Sequence, residues 1–240
     1  MAKFNEDWKV EPHGPLTQVA DGIWSVEGTI VMPLGKFPRR MTIIKLASGA
    51  LAVWSAISLD GTEMGRLEAL GPVGFLIVPN AGHRLDLRAW KNRYPNARIV
   101  APPGAARQVS EVAPVDAEEN ILGDPTVAFE LVAGTKSDEL AVIVTRADGV
   151  TLIVNDILSS VSHPDGIGAN IMARLFGFGV DHPKTSRLVR HMYVKDPASV
   201  AGQFRKWAAI PGLRRLIVSH VDIISDRPAD VLAAAAADLE

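Results

Sequence analysis

The chain has no cysteine among its 240 residues. That excludes disulfides, thiolate zinc sites and a thiol nucleophile, and it is compatible with any redox compartment. No run of about 18 apolar residues occurs, so no membrane span is expected. An excess of positive charge is also missing: the formal net charge is −2 and the pI is about 6.3. Nothing therefore points to nucleic acid. The short basic pairs Arg39–Arg40 and Arg214–Arg215 read as solvated flanks of strands and loops. The opening stretch, Met1 to Pro15, carries Lys3, Glu6, Asp7, Lys9 and Glu11 and lacks an apolar core, so it is no signal peptide. The cytoplasm is the expected location, and residues 1–15 read as a loose arm.

What is present is an ordinary globular balance, with 48% apolar and 22% charged residues. A chain of this length buries roughly 70–75% of its unfolded surface. Residues 16–240 read as one α/β domain. Met41–Leu46 and Leu51–Ile57 are apolar runs around Ala47-Ser48-Gly49, which predicts a hairpin. Asp60 and Glu63 are spaced as a capping-box variant ahead of Met64, Leu67 and Leu70 at helical spacing. Gly74–Val78 predicts a buried strand, residues 84–94 a helix, and Ala97–Ala101 a parallel partner strand. Strands are expected again over Thr126–Val132, Leu140–Thr145, Val150–Val154 and Leu213–Val218. Asp196-Pro197 announces a helix with Val200, Phe204 and Trp207 on its buried face, and Asp226–Leu239 an Ala-rich terminal one. Hairpins, then β–α units, then the same order again suggest two related halves. The expected architecture is a four-layer αβ/βα sandwich, two mixed sheets with helices outside. The Gly-rich stretch 166–179 is expected to be a lid or a homo-oligomer contact.

Open α/β folds place ligands at the carboxyl ends of their strands. Four such ends carry polar residues. Pro79-Asn80-Ala81-Gly82-His83-Arg84-Leu85-Asp86 follows the first, and Ala133-Gly134-Thr135-Lys136-Ser137-Asp138 the second. Asn155-Asp156 follows the third, and Ser219-His220-Val221-Asp222 the fourth. His83, Asp156 and His220 could supply three N/O ligands and leave a water position open, which suits a mononuclear Zn²⁺, Fe²⁺ or Mn²⁺ site. Asn80, Asp86 and Asp222 are candidates for orienting those ligands. The bland alternative is that each merely caps a turn. His163 and His182 read as loop residues, and His191 as a surface residue on a short helix. Gly134-Thr135-Lys136-Ser137 has the flavour of a phosphate loop but lacks the upstream glycine. No G-x-S-x-G elbow occurs.

The succession of strand, polar loop and helix from Val19 to His220 resembles the metallo-β-lactamase superfamily, whose four loops read T-H-x-H-x-D-H, a lone His, G-D and G-H. On that resemblance Asp156 corresponds to the bridging carboxylate and His220 to the terminal histidine ligand. Asn80 stands where the first histidine is expected, and the second loop offers Lys136 in place of a histidine. Pro79-Asn80-x-x-His83, Tyr94-Pro95 and Pro102-Pro103-Gly104 are more similar still to a bacterial branch of the superfamily that has no assigned function. The resemblance implies a metal-dependent hydrolase acting on a small molecule; the superfamily's ligands hold two metal ions, but the residues of this chain suffice for one Zn, Fe or Mn ion, with Asp86 and Lys136 as candidate catalytic auxiliaries. It equally implies the alternative, a non-catalytic scaffold without metal in which the Lys136 ammonium faces Asp156 as counter-charge.

Overall fold

A computed structural model describes residues 4–32, 35–136, 139–158, 184–185, 187–220 and 222–240. The Gly-rich stretch 166–179, His163 and His182 lie outside the described residues. The chain divides into two compact units, Met1–Met32 with Lys36–Phe129, and Pro33–Gly35 with Glu130–Glu240.

The first unit is built on a six-stranded mixed sheet. Its strands are β1 (Thr17–Ala20), β2 (Ile23–Met32), β3 (Gly35–Lys45), β4 (Leu51–Trp54), β5 (Val73–Ile77) and β6 (Arg98–Val100), adjacent in that order. The expected hairpin is β3–β4, antiparallel with Ile43 opposite Val53. Then β4, β5 and β6 run parallel, joined by α1 (Gly61–Glu68) and α2 (Leu87–Arg93), with α3 (Pro103–Ser110) after β6. Met41, Ile43, Val53, Leu67, Trp90 and Ile99 are buried in one apolar cluster. That burial, at roughly 25 cal/mol per Å² of apolar surface, is the main force holding the unit.

Local chemistry sets where the helices begin. Asp60 caps α1 by accepting from the Glu63 amide at 2.9 Å. The other half of the capping box is not made. The Glu63 carboxylate accepts from Leu16 N at 2.7 Å, and the Asp60 amide donates to His13 Nε2 at 3.0 Å. Helix α2 starts three residues later than expected, because residues 79–86 form turns in which Asn80 Oδ1 accepts from Gly82 N at 2.8 Å.

The expected loose arm is a correction. Asn5 N donates to Leu85 O at 2.7 Å, and Trp8 Nε1 donates to Leu59 O at 2.9 Å. Phe4 and Trp8 pack against the first core, and Trp8 tilts against Trp90 with 5.4 Å between centroids. The apolar anchors Phe4 and Trp8 outweigh the polar composition of the segment.

The second unit carries a four-stranded mixed sheet in the order β10–β9–β8–β7, from β7 (Val127–Leu131), β8 (Leu140–Arg146), β9 (Gly149–Val154) and β10 (Leu213–Val218). β8 and β9 are antiparallel, β9 and β10 parallel. Its helices are α4 (Arg187–Tyr193), α5 (Pro197–Ala208) and α6 (Pro228–Ala237). Asp196 caps α5 through Ala198 N at 3.1 Å. Val200, Phe204 and Trp207 are fully buried with Val154, Leu216 and Leu232, as the helical spacing implies. Among the described residues no helix is long and apolar enough to cross a membrane.

Candidate functional site

Strand register in the second unit builds the candidate site. In the parallel pair β9–β10, Val154 lies opposite Val218. The next residues, Asn155 and Ser219, are therefore neighbours, and the ones after, Asp156 and His220, are neighbours again. Asn155 and Ser219 are buried, and the Ser219 hydroxyl bonds the Asn155 side-chain oxygen. One step further out, His220 Nε2 donates to Asp156 Oδ1 at 2.9 Å. Both side chains of that pair stay partly accessible, 28% for His220 and 16% for Asp156, so a ligand can reach them. The G-D and G-H motifs of the resembled superfamily carry glycine where this chain has Asn155 and Ser219. Here the Ser219 hydroxyl donates to the Asn155 side-chain oxygen and ties the strand ends together, while Asn155 Nδ2 finds no partner among the described residues.

The loop after Asp156 is held from within the same unit. Glu139 Oε1 accepts from Ile157 N at 2.9 Å. Burial, and then the negative charges of Asp156 and Glu139, push the Tyr193 phenol up. Tyr193 thus keeps its proton at neutral pH beside a carboxylate. Neither Glu139 nor Tyr193 was singled out from the sequence. Tyr193 carried no motif, and Glu139 sat among the polar residues of a loop.

In the first unit the Pro79–His83 turn presents His83. The Asn80 carbonyl accepts from His83 N at 3.2 Å, and Asn80 itself is buried. Asn80 thus shapes the turn at the place where the superfamily has its first histidine. The His83 ring is anchored at Nδ1, 2.5 Å from the Ser55 hydroxyl. Ser55 is buried and has φ 54°, a left-handed conformation that costs a non-glycine residue on the order of 1 kcal/mol or more. Such strain clusters at functional sites. Ser55 directly follows β4, inside the apolar run Leu51–Ile57, where no polar motif marks it.

Two expected auxiliaries have partners of their own. Asp86 is buried and bonded on both oxygens: Arg39 NH1 reaches Oδ2 at 2.5 Å, while Asn5 Nδ2 and Ser58 Oγ reach Oδ1 at 2.7 and 3.3 Å. Its carboxylate is thereby committed to a buried ion pair of the first unit. Lys136 is exposed, and its ammonium donates to the His191 carbonyl at 2.7 Å. Asp156 is bonded by His220. Asp222 is exposed, and His191 is exposed on α4, as expected of a surface histidine.

No protein-family model and no curated protein matches the chain. Solved structures do. A metallo-β-lactamase from Hirschia baltica superposes with TM-score 0.61 at 13% identity, over 93% of this chain and 98% of the other. FIM-1 from Pseudomonas aeruginosa, in its mono-zinc form, gives 0.62 at 11% identity, over 98% of both chains. A metallo-β-lactamase from Erythrobacter litoralis gives 0.59 at 13% identity, over 96% of both. The chain has the metallo-β-lactamase fold, the class expected from its sequence.

Proposed function

We propose that this protein is a hydrolase dependent on one metal ion, with the ligands expected from the sequence, His83, Asp156 and His220. The observation that carries the reading is the Asp156–His220 pair, 2.9 Å apart at the ends of two adjacent parallel strands. Ligands of a tetrahedral ion with bonds of about 2.0–2.1 Å stand about 3.3 Å apart. A carboxylate and an imidazole facing each other over one proton are therefore near the spacing of a cation's ligands, and they are the donor types that suit Zn²⁺, Fe²⁺ or Mn²⁺. FIM-1 in its mono-zinc form is a precedent for single occupancy in this fold.

The chain's own residues have separate tasks on this reading. Ser55 accepts the Nδ1 proton of His83, which leaves Nε2 as the ligand nitrogen. Asn155 and Ser219 hold the strand ends in register. Tyr193 keeps a proton available beside Asp156. When bound, the ion supplies Lewis acidity and lowers the pKa of a coordinated water to about 7.

A second reading, a scaffold that has lost its metal, is favoured by two replacements. Asn80 shapes a turn where a histidine ligand is expected, and Lys136 bonds the His191 carbonyl where another is expected. Elemental analysis of protein purified without a His-tag or chelator separates the two. About one equivalent of Zn, Fe or Mn, as one ion with three protein ligands requires, is expected, and it should be lost in His220→Ala, whose unfolding midpoint should match that of the metal-stripped parent. Protein that stays metal-free after incubation with excess Zn²⁺ or Mn²⁺ is the scaffold. A metal-loaded protein warrants a screen of esters and lactones.

A further inference from the structure

Within the second unit the residues around Lys136 form a basic cleft. Lys136, Arg190, His191 and Lys195 line it together with Val194 and Pro197, and its volume is about 430 Å³. All four basic side chains are exposed. The Lys136 ammonium spends one donor on the His191 carbonyl. Among the described residues no carboxylate pairs with Arg190, Lys195 or Lys136. Arg39, Arg40, Arg66, Arg84, Arg93, Arg205 and Arg215 contrast with this, each holding an acidic partner. The neighbouring acid Asp196 is turned to its own helix, accepting from Ala198 N at 3.1 Å and Ser199 Oγ at 2.6 Å. Among the described residues, three fixed positive charges thus gather without a carboxylate partner, in a chain of net charge −2.

Backbone hydrogen bonds frame the cleft. Lys136 N donates to Tyr193 O at 2.6 Å, and Lys195 N and Asp196 N both donate to Gly134 O, at 2.7 and 3.0 Å. Thr135 and Val194 form a bridge between the two segments. Gly134, at φ 78°, permits the approach, since a Cβ there would collide with the Asp196 carbonyl. The cations are therefore held on one backbone frame and are not borne on independent loops. Pre-ordering of this kind lowers the cost of binding.

We propose that this cleft binds a phosphoryl group of a small molecule. A dianion is the charge class that answers three cations. The guanidinium fork of Arg190 matches phosphate oxygens, and the ammonium groups act as point charges. Val194 and Pro197 supply an apolar wall for the organic remainder. The cations, and not the backbone of a phosphate loop, carry the recognition.

The test is calorimetric titration of the full chain with inorganic phosphate and with pyrophosphate, repeated on Arg190→Gln, Lys195→Gln, the double variant and His220→Ala. Arg190 and Lys195 make no side-chain hydrogen bond or ion pair among the described residues, so both variants should unfold at the parent temperature. Binding is expected, weakening about tenfold for each charge removed, and it should survive in His220→Ala. Binding that persists in the double variant but vanishes in His220→Ala places the anion at the proposed metal site and overturns the cleft. Citrate binding as tightly as pyrophosphate overturns the phosphoryl class, and no binding overturns the proposal. Because His220→Ala is scored separately, failure of the cleft and failure of the metal reading are distinguishable.

Discussion

Asp86 is a carboxylate whose partners only the folded chain reveals. It lies three residues after His83, in a polar segment at a strand end, and so looks like part of a site. Its partners Asn5, Arg39 and Ser58 are 81, 47 and 28 residues away in the chain. They make it the buried anion that neutralises Arg39. Asp86→Ala should therefore cost stability, about 3–5 kcal/mol, because the Arg39 charge would be left buried and unpaired. Urea denaturation measures this, and metal content per folded molecule should stay as in the parent. A variant that unfolds like the parent but loses metal would return Asp86 to the site. Ser55 is the converse case, a serine inside an apolar stretch whose role rests on a backbone angle and a 2.5 Å contact.

At the scale of elements, β9 and β10 act as a matched pair. Each ends in valine, then a small buried polar residue, then a titratable one. The Asn155–Ser219 bond transmits the register of the strands to Asp156 and His220. Asn155→Ala and Ser219→Ala should each cost roughly 1–3 kcal/mol, because each orphans a buried polar partner. The double variant should lose less than the sum by about 0.5 kcal/mol or more, the signature of direct coupling. Equilibrium unfolding of the four species closes the cycle. Strict additivity would mean that the two side chains do not lock the strand ends.

For the whole molecule, stability should fall at both ends of the pH scale, through different units. Glu130 in the second unit takes hydrogen bonds from Lys206, Trp207 and Gln203. Burial alone would raise its carboxyl, but these bonds prevail and hold it below the ordinary value of 4.5. A depressed carboxylate stabilises the fold above its unfolded pKa, and that contribution disappears as pH falls through the folded value. In the first unit Tyr94 is pushed up to about 12, first by burial and then by its bond to Glu68. A raised phenol stabilises the fold below its ordinary value of 10, and this is lost as pH climbs from there toward about 12. Unfolding midpoints across pH should drop on the acid side less in Glu130→Gln, and on the alkaline side less in Tyr94→Phe. Profiles parallel to the parent's would assign the losses to other groups.

Secondary structure, fold class and the strand-end positions of Asp156 and His220 were legible in the residues themselves. Alternation and helical spacing record which faces are buried, and a short polar tail after an apolar strand marks a sheet edge where ligands gather. Val154-Asn155-Asp156 and Val218-Ser219-His220 carry that signal in three letters each. Tertiary structure alone decided which polar residues meet. It gave Asp86 to Arg39, Lys136 to His191 and Ser55 to His83, and it fastened the N-terminal segment to the first core. A hydrogen bond depends on distances of a few ångströms between residues that chain order leaves far apart, and no local pattern encodes such a distance. Periodicity reports burial, which is a property of one residue at a time. Pairing is a property of two, and it exists only once the chain has folded.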